Sequence, residues 1–184
     1  MARAAPITHW NSQPAKPSIH PAAFVDKTAV LIGDVRLSEG VAVLPLVVLR
    51  ADEGAPIIIG ANTNLQDGVI MHALLGTGVR IGARCSIAHG AIVHGPCELD
   101  EGCFVGFGSV LLKVRAGAGC FISHRALVQG VELPPGTLVP PGAVVISQDQ
   151  VADLPQVRQE LRSFAHEVLE VNEALRKGYL TEGS

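Results

Sequence analysis

Large apolar residues recur at every sixth position along most of the chain. The members of this series are Val25, Leu31, Leu37, Val43, Leu49, Ile59, Leu65, Met71, Ile81, Ile87, Val93, Leu99, Val105, Leu111, Ala116, Ile122, Val128, Leu133 and Val139. The few spacings other than six predict loops. A second series, four residues later, holds small or β-branched residues such as Ala29, Val47, Cys85 and Thr137. Two inward positions in every six residues indicate short strands separated by turns.

The six-residue period resembles the hexapeptide repeat of left-handed parallel β-helices, which are all-β solenoids with three short strands per coil. Large residues would fill the prism and small ones its corners. The left-handed sense rests on this resemblance, because crossovers in ordinary parallel sheets are right-handed. We predict a β-helix of about seven coils over residues 24–147, preceded by an N-terminal arm at 1–23.

A long amphipathic helix is predicted after the repeats. Between positions 153 and 179, apolar residues are spaced three or four apart, with Pro155 near the start and Gly178 at the expected end. The apolar stripe consists of Leu161, Phe164, Val168, Val171 and Leu175. We expect this helix, within a C-terminal segment of residues 148–184, to pack along one face of the prism.

Three histidines lie in one run of apolar residues and glycines. His72 and His94 each follow the large residue of a strand on one face, as Arg50 does one coil earlier, so the three form an outward column. His72 and His94 are therefore one coil apart, about 5 Å between Cα atoms, and can share one metal ion. His89 lies two residues after a large residue on the preceding face, as does Asp67 one coil earlier. One chain thus supplies two stacked ligands and holds the third around a corner.

A three-fold assembly would complete this site, because it brings the face that carries His89 against the His72 and His94 of a neighbouring subunit. The predicted metal site then belongs to an interface. Three neutral imidazoles leave a coordination position open and suit Zn²⁺, although Fe²⁺ or Co²⁺ would also bind. The remaining histidines, expected in loops or on the surface, are His9, His20, His124 and His166.

Composition excludes several function classes. The net charge is −3 and no run of Lys or Arg exceeds two residues, so neither nucleic acid nor an anionic membrane is an expected partner. The longest apolar run, residues 41–49, is too short to cross a bilayer, and the N-terminus lacks the apolar core of a secretory signal. We therefore expect a cytoplasmic protein. All four cysteines occupy the small inward position, which predicts buried, reduced thiols.

The histidines and their neighbours resemble the γ-class carbonic anhydrases. The matching motifs are Arg50-x-Asp52-Glu53, Gln66-Asp67-x4-His72 and His89-x4-His94. The similarity runs from about Phe24 onward and is strongest to the γ-carbonic-anhydrase-like domain of the β-carboxysome scaffold protein. The segments that carry it are HGP, GCFVGFGSV, VRAGAGC, VELPPGTLVPPGAVV and VNEALRKGY.

The resemblance implies a homotrimer that hydrates CO2 to bicarbonate at Zn²⁺ sites between subunits. His72 and His94 would come from one chain and His89 from the next. Water bound to such a metal ionises at a pKa of about 7, which gives the hydroxide that attacks CO2.

Further roles are implied by the same resemblance. Arg50, Asp52 and Asp67 match an interfacial salt-bridge network that orders the site, for which the planar guanidinium is suited. Gln66 matches a residue that hydrogen-bonds the metal-bound water and the substrate. Glu53 matches the carboxylate that removes the proton from that water.

Two departures from the family pattern bear on activity. Asn172 matches a residue that orients bicarbonate, but Glu170 occupies the position of an active-site tyrosine. The loop ALLGTGVR after His72 is short and carries no carboxylate, whereas the active enzymes have a long loop with an acidic proton shuttle. Because acid–base assistance contributes roughly 10² to 10⁴-fold, either Glu53 or buffer must export the proton, or the activity is low.

Two other functions stay open on the sequence. One is a catalytically weak, metal-binding trimeric assembly module, since the scaffold relative combines both identities. The other is a hexapeptide-repeat acyltransferase. That class shares the repeats but needs one catalytic histidine and a coenzyme A site rather than three clustered ligands.

Overall fold

Residues 1–182 fold into a parallel β-helix followed by two helices. The computed structural model describes residues 1–182. The helices are α1 (Gln148–Ala152) and α2 (Gln159–Glu182). The strands are β1 (Ala2–Arg3), β2 (Ser18–Ile19), β3 (Phe24–Val25), β4 (Val30–Gly33), β5 (Val35–Leu37), β6 (Ala42–Val43), β7 (Val48–Ala51), β8 (Ile57–Ile59), β9 (Asn64–Leu65), β10 (Ile70–Ala73), β11 (Val79–Ile81), β12 (Ser86–Ile87), β13 (Ile92–Leu99), β14 (Phe104–Val105), β15 (Val110–Ala116), β16 (Phe121–Ile122), β17 (Leu127–Gln129), β18 (Glu132–Leu133), β19 (Leu138–Val139) and β20 (Val144–Val145). The predicted β-solenoid with a C-terminal helix is confirmed.

Each coil contributes strands to three faces. Within residues 1–182, the first face is a seven-stranded sheet in the order β19-β16-β14-β12-β9-β6-β3. A 13-stranded sheet covers the other two faces, because β13 and β15 run around the corner that joins them. β4, β7, β10, β17 and β20 lie on the second face, and β5, β8, β11 and β18 on the third. Neighbouring strands are parallel and pair residues one coil apart, so equivalent positions form columns.

The two periodic series form the core. The large and small inward residues are buried, apart from Val25 and Ala143, which are partly buried. On the first and third faces, the residue three positions after the large apolar residue usually turns the chain at a corner with positive φ. Glycine usually occupies it, as at Gly40 (φ 69°), because glycine adopts this conformation without steric cost. The turns therefore explain the glycine-rich composition.

The cysteines lie in the corners, and the thiols of Cys85, Cys103 and Cys120 donate to carbonyls of the next coil. Cys85 Sγ donates to the carbonyl of Asp100 at 3.2 Å, and Cys120 Sγ donates to that of Pro134 at 3.1 Å. Thr63 uses its hydroxyl in the same way, toward Gly82 O at 2.8 Å. All four thiols are buried and free, as predicted. These small side chains therefore fill the corner and supply a hydrogen-bond donor.

Helix α2 packs on the first face, but it does not end where the sequence indicates. Gly178 lies inside the helix, so its assignment as the helix end is wrong. Arg176 Nη1 donates to Ala22 O at 2.7 Å, and the Tyr179 ring stacks on Phe24 with 4.9 Å between centroids. These contacts hold the last turns of the helix against the prism despite the glycine.

The apolar stripe of α2 divides into two parts. Leu161 and Val168 pack on the first face, over a cluster that includes Phe104 and Phe121. The remaining stripe residues are exposed, namely Phe164, Val171 and Leu175. The helix therefore covers the prism and also presents an apolar edge.

The N-terminal segment extends the sheet of the second and third faces at the N-terminal end of the prism. Strand β1 pairs with β4 on the second face, and β2 pairs with β5 on the third. No helix within residues 1–182 combines the length and apolarity that crossing a membrane requires.

Candidate metal centre

The register of the second face brings His72 and His94 side by side. In the pairing of β10 with its neighbours, His72 is opposite His94 on one side and opposite Arg50 on the other, which confirms the predicted column. His72 Nδ1 lies 3.2 Å from His94 Nε2. His94 Nδ1 lies 3.1 Å from the carbonyl oxygen of Gly95, which can only accept. The proton of neutral His94 therefore belongs on Nδ1, so Nε2 carries the lone pair.

The other nitrogen of His72 faces two carboxylates. His72 Nε2 lies 3.2 Å from Glu53 Oε1 and 3.4 Å from Asp52 Oδ1. Arg50 donates to both oxygens of Asp52, at 3.1 and 3.3 Å. Burial, reinforced by the Arg50 charge, lowers the pKa of the His72 imidazole below its ordinary value. At neutral pH His72 is therefore uncharged, the form that binds a metal.

The protons of His72 provide a test of whether a metal fits. Two nitrogens bound to one tetrahedral zinc lie about 3.3 Å apart, close to the observed separation of His72 Nδ1 and His94 Nε2. Among residues 1–182, His72 Nε2 is buried without a hydrogen bond. A metal on Nδ1 would place the proton on Nε2, where Glu53 and Asp52 can accept it. Metal-binding histidines commonly donate to a carboxylate in this way. The residues present fit a bound metal.

A second group of predicted residues lies on the first face. His89 Nδ1 is 2.9 Å from Asp67 Oδ2, and both side chains are about half exposed. Gln66 is buried and its Nε2 donates to Asn64 Oδ1 at 3.0 Å. Asn64 Nδ2 donates to Ser86 Oγ at 2.8 Å. The carboxylate fixes the Nδ1 proton of His89 and leaves its Nε2 free to bind a metal.

An apolar groove connects this group to helix α2. The groove has a volume of about 320 Å³ and is lined by Gln66, His89, Phe104, Phe107, Phe164, Glu167, Val168, Val171 and Asn172. Asn172 Nδ2 donates to the carbonyl of Val168 within the helix at 2.8 Å. Gln66 and Asn172, far apart in sequence, thus share one groove beside His89.

Within one chain the predicted site residues form two separate half-sites. The second-face half-site consists of Arg50, Asp52, Glu53, His72 and His94. The first-face half-site consists of Gln66, Asp67, His89 and Asn172. Arg50 bonds to Asp52, whereas Asp67 bonds to His89, so only part of the implied salt-bridge network forms inside one chain. The second-face half-site lacks a third histidine, and the first-face half-site lacks the pair of adjacent histidines.

Sequence reasoning missed three supporting groups. Asn64 and Ser86 occupy a first-face column that is otherwise apolar beneath α2, as at Phe104. That polar exception was a readable signal, because buried amides and hydroxyls need partners. The carbonyl of Gly95, which fixes the His94 proton, has no signal in the residue type.

Comparison with known proteins identifies the family. The chain is 35% identical to a carbonic anhydrase from Methanosarcina thermophila over 196 residues, which covers 95% of this chain and 79% of that protein. The chain belongs to the γ-class carbonic anhydrase family. It is also 42% identical to the carboxysome assembly protein CcmM of Nostoc sp. PCC 7120, over 96% of this chain. The chain spans only 34% of the length of the Nostoc protein.

The solenoid itself is shared more widely. Residues 75–113 match the family model for the bacterial transferase hexapeptide of six repeats. A hexapeptide transferase family protein from Anaplasma phagocytophilum superposes with a TM-score of 0.76 at 27% identity, over 90% of this chain and 93% of that one. These matches confirm the left-handed hexapeptide β-helix. The γ-class assignment rests on the carbonic anhydrase relative.

Proposed function

We propose that this protein catalyses the zinc-dependent, reversible hydration of CO2 to bicarbonate at sites between the subunits of a homotrimer. The observation that carries the proposal is the division of the donor set. His72 and His94 share one face while His89 lies on another. Nδ1 of His89 and of His94 lies at hydrogen-bond distance from an acceptor, and Nε2 of His72 faces two carboxylates, which leaves the other nitrogen of each histidine for the metal. Membership of the γ-class family supports the same reaction.

The surface around the second-face half-site supports a subunit interface. Ile70 lies two residues before His72 and is 43% exposed, and Ile92 lies two residues before His94 and is 38% exposed. Large apolar side chains on an outward strand surface favour burial against a partner. Three copies related by a three-fold axis bury the same two unlike faces at every contact. Each interface then joins one first-face half-site to one second-face half-site.

The residues at this interface have different roles in the proposed reaction. A zinc ion held by His72, His94 and the neighbour's His89 would lower the pKa of water to about 7 and so supply a nucleophile at neutral pH. Glu53, partly exposed beside His72, is placed to accept a proton and release it to solvent. Gln66, held by Asn64, offers its amide for hydrogen bonding to the substrate, and Asn172 lines the same groove.

A second candidate function follows from the carboxysome relatives. The chain matches a part of the assembly protein from Nostoc at 42% identity, and its loop after His72 carries no acidic shuttle. A trimeric assembly module that binds metal with weak activity therefore remains the alternative. The chain spans about a third of the Nostoc protein. A role in carboxysome assembly is therefore considered only under this alternative. For either function we propose a cytoplasmic location.

Stopped-flow CO2 hydration on the purified protein, with metal content measured on the same sample, tests the proposal. Samples as isolated and after loading with Zn²⁺ or anaerobic Fe²⁺ should be compared. About one metal per chain with metal-dependent hydration would support the enzyme. Stoichiometric metal without hydration would favour the assembly module. Acetyl transfer from acetyl-coenzyme A, measured in parallel, would instead support the acyltransferase hypothesis.

A further inference from the structure

An aromatic pair continues the first-face column that contains His89. Phe107 follows His89 by one coil and His124 follows Phe107 by another, since each lies two residues after a paired core residue. The ring centroids of His89 and Phe107 are 5.3 Å apart, with the planes tilted by 43°. The rings of Phe107 and His124 are stacked at 4.2 Å with an interplanar angle of 18°. The order along the column is therefore Asp67, His89, Phe107, His124.

His124 holds Phe107 at two points. Its ring stacks on the phenyl ring, and its Nδ1 accepts a hydrogen bond from the backbone N–H of Phe107 at 3.0 Å. Gly106 makes this approach possible, because a Cβ at that position would lie 2.8 Å from His124 Nδ1. The backbone and ring of Phe107 are thus fixed by the same imidazole, although the phenyl ring is 43% exposed.

His89 is restrained from two directions. Asp67 binds its Nδ1, and Phe107 lies against its ring. A half-exposed imidazole without such a neighbour would be free to rotate about the hydrogen bond to Asp67. Geometry at a metal ligand must be held within fractions of an ångström, and the residues that hold it tune metal affinity.

We propose that Phe107, supported by His124, is a positioning residue for the metal ligand His89. The phenyl ring limits rotation of the imidazole, so that His89 meets the neighbouring subunit's His72 and His94 already oriented. This inference rests on the proposed function, because His89 needs an orientation only if it binds metal. His124 therefore acts at a distance of two coils from the ligand, without binding metal itself.

The chain offers a matched control. Phe164 lines the same groove and is 38% exposed, but its ring contacts are with Phe104 and Phe121, at 5.6 and 6.5 Å between centroids. Phe164→Ala removes a similar aromatic surface without removing the neighbour of His89. Phe107→Tyr retains the ring and serves as the rescue variant.

The test measures Co²⁺ binding by chelator competition, together with the visible spectrum of the bound ion and the trimer mass. Phe107→Ala should weaken Co²⁺ binding by about 10-fold or more and alter the spectrum, while the trimer and its thermal midpoint persist. His124→Ala should act in the same direction with a smaller effect. Phe107→Tyr and Phe164→Ala should stay within about three-fold of the unmodified protein.

Three results would overturn the inference: unchanged Co²⁺ affinity in Phe107→Ala, an equal loss in Phe164→Ala, or loss of the trimer in Phe107→Ala, which would assign the ring to assembly. A His89→Ala variant separates this failure from that of the proposed function. If His89→Ala keeps full metal affinity, the interfacial metal site itself is wrong. If His89→Ala loses metal while Phe107→Ala does not, only the positioning role fails.

Discussion

The two nitrogens of His72 illustrate, at the scale of the residue, how register and proton placement define a metal ligand. The column of Arg50, His72 and His94 was predictable, because a repeat of fixed length converts sequence spacing into register. The proton arrangement was not predictable, because it depends on the Gly95 carbonyl and on the conformation of the Asp52–Glu53 turn. Spacing can thus find candidate ligands, whereas their protonation requires coordinates.

Loss of Glu53 should lower turnover to an extent that depends on the buffer. Replacing it with alanine removes the partly exposed carboxylate 3.2 Å from His72 Nε2, so kcat for CO2 hydration should fall by about 10-fold or more in weak buffer. Added imidazole should restore much of the rate, because a small base can replace a missing proton acceptor. Stopped-flow assays across imidazole concentrations provide the measurement.

Glu98→Ala is the matched control, since Glu98 is an exposed carboxylate that pairs with Arg115 on the third face. It should leave the rate and its buffer dependence unchanged. A Glu53→Ala protein with the full rate in weak buffer would refute the proton-transfer role of Glu53.

The thiols should be unreactive while the protein is folded. Burial raises the pKa of Cys97 to about 12, so at pH 8.5 almost none of the native protein carries the thiolate at that position. Because the raised pKa disfavours the charged form, reactivity should increase only as pH approaches that value or as the chain unfolds. Ellman's reagent should therefore detect almost no thiol in the native protein at pH 8.5 and four in guanidinium. Rapid native labelling of any cysteine would contradict the packing of the corners.

At the scale of the element, the strands followed from the hydrophobic period and the helix end did not. The six-residue repeat of inward positions specifies where strands and corners lie, and the breaks in this repeat mark the loops. Gly178 misled because helix propensity is a weak determinant beside tertiary contacts. Arg176 bonded to Ala22, and Tyr179 stacked on Phe24, keep the last turns helical. Contacts between residues so distant in sequence leave no local signal.

Two glycine substitutions should have opposite effects on stability. Gly178→Ala should raise the free energy of unfolding by about 0.5–1 kcal/mol, because the residue is helical and a Cβ there would have open space around it. Gly82→Ala should lower it by at least about 2 kcal/mol, because its Cβ would lie 2.6 Å from the carbonyl carbon of Asp100. Denaturant unfolding of both variants gives the comparison, and a destabilised Gly178→Ala protein would contradict the helical assignment.

At the scale of the whole molecule, the β-helix places the two half-sites on different faces of one chain. The parallel β-helix and its family could be predicted from the sequence, since the repeat and the histidine spacing are both strong patterns. The sequence also indicated that His89 lies around a corner from His72. It could not show the groove that joins Gln66 and Asn172, because helix α2 reaches that face only through tertiary packing. The proposed metal site therefore depends on assembly of subunits, because its three histidines lie on two faces.

Hybrid trimers test the central claim most directly. His89→Ala and His94→Ala chains are each expected to bind no metal alone, because every interface then lacks one ligand. Each intact site needs His72 and His94 from a His89→Ala chain and His89 from an adjacent His94→Ala chain. Random assembly of an equal mixture should therefore restore metal and CO2 hydration to about one quarter of the value for unmodified protein. The contradicting result is a sample in which hybrid trimers are confirmed to have formed from equal amounts of the two variants, but which has neither metal nor activity.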